Sequence, residues 1–293
     1  MSLRTRDWAW LAGLLALLVG VVLLAAALEQ RPDGLLHFWA LDVGQGDALL
    51  IGTPGGHDVL VDGGPDPAVT ATRLGQHMPF WQRDISMVIL THPHEDHISG
   101  LIEVLKRYRV DSVLETPFEQ GNQALENEWH GQLALAHTSV TYAEDGQTVA
   151  VEPGLSLHVL YPPAQLLSGT HSDINNSSVV VRLDYGSVRM LLTGDVETEA
   201  VHELLARERG ALHAQVLKVP HHGSSTGLSP DLLAAVAPSV AVISVGRGNL
   251  YGHPAPSTLN LLRQAGVPTY RTDEHGTVEV LSDGRQVWVR AER

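Results

Sequence analysis

The densest chemistry in the chain lies in Thr91-His92-Pro93-His94-Glu95-Asp96-His97, where three imidazoles and two carboxylates fall within six consecutive positions. Imidazole nitrogen and carboxylate oxygen together suit zinc or a similar first-row divalent ion. In the order His-x-His-x-Asp-His, His92 and His94 can converge on one ion, while Asp96 and His97 can turn to a second. A solvated histidine-rich loop is the plainer reading in a chain with 16 histidines. Four potential ligands in this order are poorly explained by chance.

The flanking residues say how such a cluster would be held. Ile85 to Leu90 reads as a short buried strand, and Ser99 to Leu105 as the start of a helix. The cluster therefore occupies a strand-to-helix loop at the carboxyl end of a strand, where α/β folds bind ligands. Upstream, Leu35 to Leu41, Ala48 to Ile51 and Asp58 to Gly64 read as an antiparallel meander, with Asp42-Val43-Gly44-Gln45-Gly46-Asp47 as a glycine turn between the first two. Ala71 to Met78 is expected to be helical and Val110 to Leu114 extended. Gln120 to His137 is polar and mixed, with His130 and His137 read as surface residues.

Four further places carry acids or histidines beside turns or strand ends. Asp62 precedes Gly63-Gly64, so it is either a turn former or a carboxylate that orients a ligating histidine through its free N–H. Asp195 ends a hairpin made by Val179 to Leu183 and Val188 to Leu192. Taken alone it is most simply the cap of the helix that Glu197 and Glu199 begin. His221-His222, after the strand Val216 to Val219, is either incidental to a tight loop or the source of a general acid. His253 sits in Asn249-Leu250-Tyr251-Gly252-His253-Pro254. Beyond these, Ser229-Pro230 and Ser257 are expected to start helices, and a final hairpin runs from Thr277 to Val289.

The string from His92 to His97 resembles the signature of the metallo-β-lactamase superfamily. The resemblance implies a two-metal hydrolase of the α/β class, a four-layer αββα sandwich of two mixed sheets. The later motifs narrow it: Asp42 to Asp47, Asn176-x-Ser178, Leu192 to Asp195, Leu217 to Ser224 and Asn249 to Pro254 occur in that order. This set is similar to the metallo-β-lactamase domain of ComEC-type competence proteins, the DNA-uptake channels, over residues 35 to about 289.

Residue by residue, the resemblance puts His92 and His94 on the first metal, Asp96, His97 and His253 on the second, and Asp195 between them. Asp62, with Asp42 and Asp47, would stand behind the ligands and orient them. His221 or His222 would protonate the leaving group, and Asp96 would also take part in catalysis. The superfamily's usual third histidine on the first metal is missing. Asn175 or Asn176 occupies its region, and His171 lies a few residues upstream. An amide oxygen binds more weakly than imidazole, so the first site should hold its ion loosely or favour Mn²⁺ over Zn²⁺. The implied chemistry is hydrolysis by a water whose pKa the metals lower.

Composition bounds the rest. No cysteine is present, which excludes disulfides, thiolate metal sites and thiol nucleophiles. With 19 basic and 33 acidic residues the net charge is −14, against a broad basic nucleic-acid face. Trp8 to Leu28 is uncharged and apolar, long enough to span a bilayer as a helix, with Arg4 and Arg6 ahead of it. The expectation is a transmembrane anchor or signal segment with linker over 1–34 and a hydrolase domain over 35–293, held by the anchor on the extracytoplasmic side of the membrane. Ala25-Ala26-Ala27 keeps a cleaved signal peptide, and so a secreted enzyme, open. The expected activity is a DNA nuclease or phosphodiesterase. A hydrolase of small esters, lactones or phosphoesters is the alternative, and a non-catalytic binding module the remote one.

Overall fold

The computed structural model describes residues 5–29, 32–118 and 121–293. Helix α1 (Thr5–Glu29) covers the apolar run. Its side chains are described only for Trp8 and residues 10–23, and these are exposed. Arg4 and the side chains of Arg6 and of residues 25–27 lie outside the described residues. Among the described residues no helix is long and apolar enough to cross a membrane, so a helix stands where the anchor was expected and a membrane span is not shown.

Two sheets follow. In the first, β1 (Leu36–Ala40), β2 (Leu49–Gly52) and β3 (Asp58–Val61) form the expected antiparallel meander. Helix α2 (Pro67–His77) returns the chain to β4 (Asp84–Leu90), which pairs parallel to β3. Helix α3 (Glu95–Arg107), β5 (Arg109–Glu115), α4 (Gln123–Ala136) and β6 (Ser139–Tyr142) extend the parallel half.

The second sheet takes β7 (Thr148–Glu152), β8 (Leu155–Tyr161), β9 (Val180–Tyr185) and β10 (Val188–Leu192) as antiparallel neighbours. Then α5 (Thr198–Glu208), β11 (Val216–Lys218), α6 (Pro230–Val236), β12 (Val240–Ile243), α7 (Pro256–Gln264) and β13 (Thr269–Arg271) build its parallel half. After α8 (Thr272–His275), β14 (Val278–Ser282) and β15 (Val287–Ala291) close onto β1. The strand orders are β15-β14-β1-β2-β3-β4-β5-β6 and β13-β12-β11-β10-β9-β8-β7.

Side-chain alternation explains the layering. In β1, Leu36, Phe38 and Ala40 face a core shared with Val181, Met190 and Val242 of the other sheet. Leu50, Leu60 and Val88 face outward under α2, α3 and α4, with Leu74, Leu101 and Trp129. Leu191, Leu217 and Ile243 meet Leu204, Leu232 and Leu262 on the opposite outer face. The expected αββα sandwich of two mixed sheets is thus present.

Some local expectations differ. Helix α2 starts earlier than Ala71, because Asp66 Oδ1 accepts from Ala68 N (2.8 Å) and Val69 N (3.1 Å) with Pro67 following. The polar stretch before His137 forms α4, capped by Asn122, burying Trp129 and Leu133 one helical turn apart. His130 and His137 are exposed, as expected. Ala255, not Ser257, is the cap of α7, and Ser257 falls inside that helix. The cap of α5 is Glu197, so Asp195 is not needed there.

Candidate metal centre

The carboxyl ends of β3, β4, β10, β11 and β12 share one rim, and the chemistry gathers there. Asp62 follows β3 in a left-handed conformation (φ 59°), which Asp tolerates better than most residues. Its buried carboxylate accepts from Thr91 N at 2.8 Å, from Thr91 Oγ1 at 2.7 Å and from His97 Nδ1 at 2.8 Å. This bond leaves the Nε2 of His97 turned into the site, 3.4 Å from Asp195 Oδ2 and 3.9 Å from Asp96 Oδ2. Asp62 is therefore an orienting carboxylate rather than only a turn former.

His92 is held the same way. With Thr91 Oγ1 donating to Asp62, His92 Nδ1 donates to Thr91 Oγ1 (3.1 Å) or Ser178 Oγ (3.3 Å). Its Nε2 then lies 3.1 Å from His94 Nδ1. Two lone-pair nitrogens at that spacing match an edge of a tetrahedron with metal–nitrogen bonds of ~2.0–2.1 Å, about 3.3 Å. Ser178 also accepts from Asp195 N at 3.1 Å, tying the two motifs together.

His221 and His222 both have positive φ (49° and 51°) on the tight loop after β11. Such backbone conformations cost on the order of 1–2 kcal/mol for residues other than glycine. Bonds set against this cost include Ser224 N to His221 O (2.8 Å) and His222 Nδ1 to Ser244 O (2.9 Å). The second leaves His222 Nε2 facing Asp195 Oδ2 at 3.1 Å and Asp96 Oδ2 at 3.4 Å. His221 stays on the rim, with Nδ1 3.2 Å from Glu197 Oε1 and Nε2 3.9 Å from Asp195 Oδ2.

Behind His222 stands Asp47, 3.4 Å from its Nδ1 and 2.5 Å from the Nζ of Lys218, which is wholly buried. The glycine turn reaches this position because a Cβ at Gly46 would collide with the Asp96 carbonyl. Asp42, by contrast, points away: its Oδ2 pairs with Arg293 (2.9 Å) and Arg73 (3.6 Å), so it orients nothing in the site.

The residues proposed for the missing histidine separate clearly. Asn176 has both amide atoms engaged, its Oδ1 accepting from Glu197 N (3.0 Å) and its Nδ2 donating to Thr170 Oγ1 (3.0 Å), which removes it from the ligand set. His171 is exposed, its Nδ1 3.4 Å from Glu197 Oε2 and its backbone N–H donating to Glu199 Oε1 at 3.3 Å. Asn175 donates to Glu197 Oε1 at 2.8 Å and presents a buried, unpartnered Oδ1 on the cleft wall. His253 also lines the cleft, its ring 5.3 Å from that of His221 and stacked near Tyr251. Its nitrogens, like those of His94, join none of the convergent donor groups found among the described residues, whereas His222 does; His94 is set apart from His253 by its Nδ1 lying 3.1 Å from His92 Nε2.

The electrostatics follow from burial against mutual charge. Burial works to raise Asp195, yet His222 and His97 hold it well below the usual carboxylate range. Burial likewise opposes charge on His97 and His222, but Asp195 with Asp62 or Asp47 raises both well above the ordinary imidazole value. Asp96 is drawn down to about 2, burial being overcome by His97 and His222. Burial keeps His92 and His94 neutral, helped by the nearby charge of His97.

The convergent groups are His92, His97 and Asp195; Asp96, His97 and His222; and two sets that include Asp47. His97 Nε2, His222 Nε2 and Asp195 Oδ1 are buried without hydrogen-bond partners. Polar atoms left so at one point, of types that bind divalent ions, fit a metal site.

The sequence profile of the metallo-beta-lactamase superfamily matches residues 41–247. The chain belongs to that superfamily. Its relatives include ComE operon protein 3 of Bacillus subtilis, 29% identical over 82% of this chain and 32% of that protein. Competence protein ComA of Neisseria gonorrhoeae is 28% identical over 88% of this chain and 35% of its own length. The chain thus spans about a third of the curated relatives it matches. Among solved folds of the superfamily type, zinc-bound PqqB from Methylobacterium extorquens superposes with a TM-score of 0.51 at 14% identity, over 78% of this chain and 85% of PqqB. Sequence reasoning gave no site role to Glu197, Lys218, Ser178 or Ser244, which touch candidate ligands or the His221 ring. Ser178 and Lys218 carried a signal, the first as part of the motif Asn176-x-Ser178 and the second as a cation inside an apolar strand.

Proposed function

We propose that this superfamily hydrolase is a metal-dependent phosphodiesterase acting on nucleic acid. The observation that carries the reading is the pairing of a buried His and Asp donor set with His221 on its rim, next to Glu197. The resemblance of the motif set to DNA-uptake proteins, together with a Neisseria relative named a competence protein, supports nucleic acid as the substrate class. His92, His94, Asp195 and Asn175 Oδ1 would hold one divalent ion, and Asp96, His97, His222 and Asp195 a second. Bound there, Zn²⁺ or Mn²⁺ supplies Lewis-acid stabilisation of charge on a phosphoryl oxygen and lowers the pKa of water.

The chain's own residues do the rest. Asp62 and Ser244 fix which nitrogen of His97 and His222 faces the site. Glu197 holds the His221 ring so that it can deliver a proton to the departing oxygen. Lys218 balances Asp47 at the floor. The uncharged sequence run Trp8 to Leu28, part of whose side chains lie outside the described residues, would anchor the domain, with catalysis outside the cytoplasm.

A small-ester or lactone hydrolase is the second reading, favoured by a cleft of only about 270 Å³ and the net charge of −14. One assay separates them. The full chain in nonionic detergent is given Mn²⁺ or Zn²⁺ with single-stranded DNA, double-stranded DNA, a chromogenic phosphodiester and a lactone panel. DNA cleavage is expected; lactone turnover without DNA cleavage would overturn the nuclease reading. Protease added to intact spheroplasts should reach the domain, and protection until lysis would refute the topology.

A further inference from the structure

A second cavity lies at the opposite end of β3 from the metal centre. Asp58, Leu60 and Asp62 share the outer face of that strand and its extension. Asp58 is about 13 Å along the chain from Asp62, at ~3.3 Å per residue. The cavity, about 350 Å³, opens between this face and the carboxyl end of α2. Its wall is aromatic. His37 stacks on Trp39 (4.9 Å, 16°), His77 tilts against Trp39 (5.3 Å), and Trp81 stands at the mouth, 43% exposed. Trp39 lies flat across Gly52, where a Cβ would approach the indole to 3.1 Å.

At the floor is a carboxylate that the fold leaves alone. Asp58 is 8% exposed and has no hydrogen-bond or ion-pair partner among the described residues. Burial alone pushes it up to about 7. His77 Nε2 is likewise buried without a partner. His37 does not serve Asp58, because its two nitrogens bond Glu279 (2.7 Å) and Asp33 (3.0 Å). Among the described residues no Lys or Arg lines the cavity. The acids and imidazoles here do not converge closely enough to form a metal site; none belongs to the convergent donor groups among the described residues.

An isolated carboxylate within an aromatic wall is complementary to a cation too bulky and weakly hydrated to need a full oxygen shell. We propose that this cavity binds an organic ammonium group, with Asp58 as its counter-ion and Trp39 and Trp81 as its aromatic walls. The ammonium could belong to a soluble amine or to a lipid headgroup. The inference stands apart from the hydrolase reading.

The test is calorimetric titration of the full chain in nonionic detergent with choline, alongside 3,3-dimethyl-1-butanol, its uncharged isostere. Saturable choline binding is expected, with the isostere weaker by about tenfold or more. Asp58→Asn keeps the shape and should weaken choline by a similar factor. Trp81→Ala, at the exposed mouth, should weaken it with the fold intact. Absent choline binding, equal binding of the isostere, or wild-type affinity in both variants would overturn the assignment. With binding established, displacement of choline by vesicles of phosphatidylethanolamine and phosphatidylglycerol, against phosphatidylglycerol alone, supports a headgroup; failure to displace supports a soluble amine.

Discussion

Asp62 Oδ2 lies 2.8 Å from His97 Nδ1, and both side chains are wholly buried. The same carboxylate takes the N–H and hydroxyl of Thr91, the residue that opens the ligand loop. One acid thus sets the orientation of His97 and, through Thr91, of His92. Asp62→Asn must place an NH₂ against at least one of these three donors. The expected result is a 10–100-fold loss of metal affinity, the usual cost of removing a partner behind a ligating histidine. Calorimetric titration with Mn²⁺ and Zn²⁺ measures it. Unchanged affinity would mean that the loop holds its histidines without Asp62.

His222 and His253 offer a direct contrast. His222 Nε2 faces Asp195 and Asp96 from inside, while His253 lies outside the convergent groups. His222→Ala should lower metal affinity or stoichiometry, and His253→Ala should retain metal. His221→Ala should also retain metal but lower kcat by about 10²–10⁴, the range for loss of a general acid. Metal analysis with single-turnover kinetics separates the three. Loss of metal in His253→Ala, with retention in His222→Ala, would reverse the roles assigned to them.

The two asparagines should respond oppositely to histidine. Asn176 Oδ1 accepts from Glu197 N and, at 3.4 Å, from Ala200 N at the start of α5. Asn176→His removes a cap-like acceptor and should cost about 0.5–2 kcal/mol, without tightening metal. Asn175→His replaces an unpartnered cleft oxygen and should tighten the weaker metal-binding phase. Denaturant melts and calorimetry read the two effects. Tighter binding in Asn176→His would show that the 175–177 turn rearranges around the ion.

Legibility in the sequence followed how local the physics is. The ligand loop was readable because its residues are contiguous and sit between a strand and a helix. The meander and the parallel returns were readable from alternation and turn residues. What could not be read were choices made by distant partners. His222 turns its Nε2 inward because the carbonyl of Ser244, just beyond β12, takes its Nδ1. Asn175 and Asn176 are adjacent, yet only the fold brings α5 close enough to claim Asn176. Asp42 and Asp47 flank one turn, but Arg293 draws one outward and Lys218 draws the other in. Helix α4 was missed because Trp129 and Leu133 are nearly its whole apolar face.

Asp58 gives the fold a pH dependence whose sign can be worked out. Its folded value is about 7 against an ordinary 3.8. Between those values the folded chain keeps a proton that the unfolded chain releases, so stability falls as pH rises through the window and levels off above about 7. Three units correspond to a loss on the order of 4 kcal/mol. The groups nearby do not cancel it: His37 is raised against burial by Glu279 and Asp33, a shift whose effect on stability has the same sign, burial lowers His77 toward neutrality, and burial, with a smaller push from Asp58, raises Tyr108. Asp58→Asn removes the ionisation and any steric change is independent of pH. The stability difference between variant and wild type should therefore shift in favour of the variant from pH 4.5 to pH 8 by a few kcal/mol. Saturating choline, by stabilising the ionised carboxylate, should narrow that shift. Urea melts at the two pH values, with and without choline, measure both effects, and a difference independent of pH would show that Asp58 ionises as freely in the folded chain as in the unfolded one.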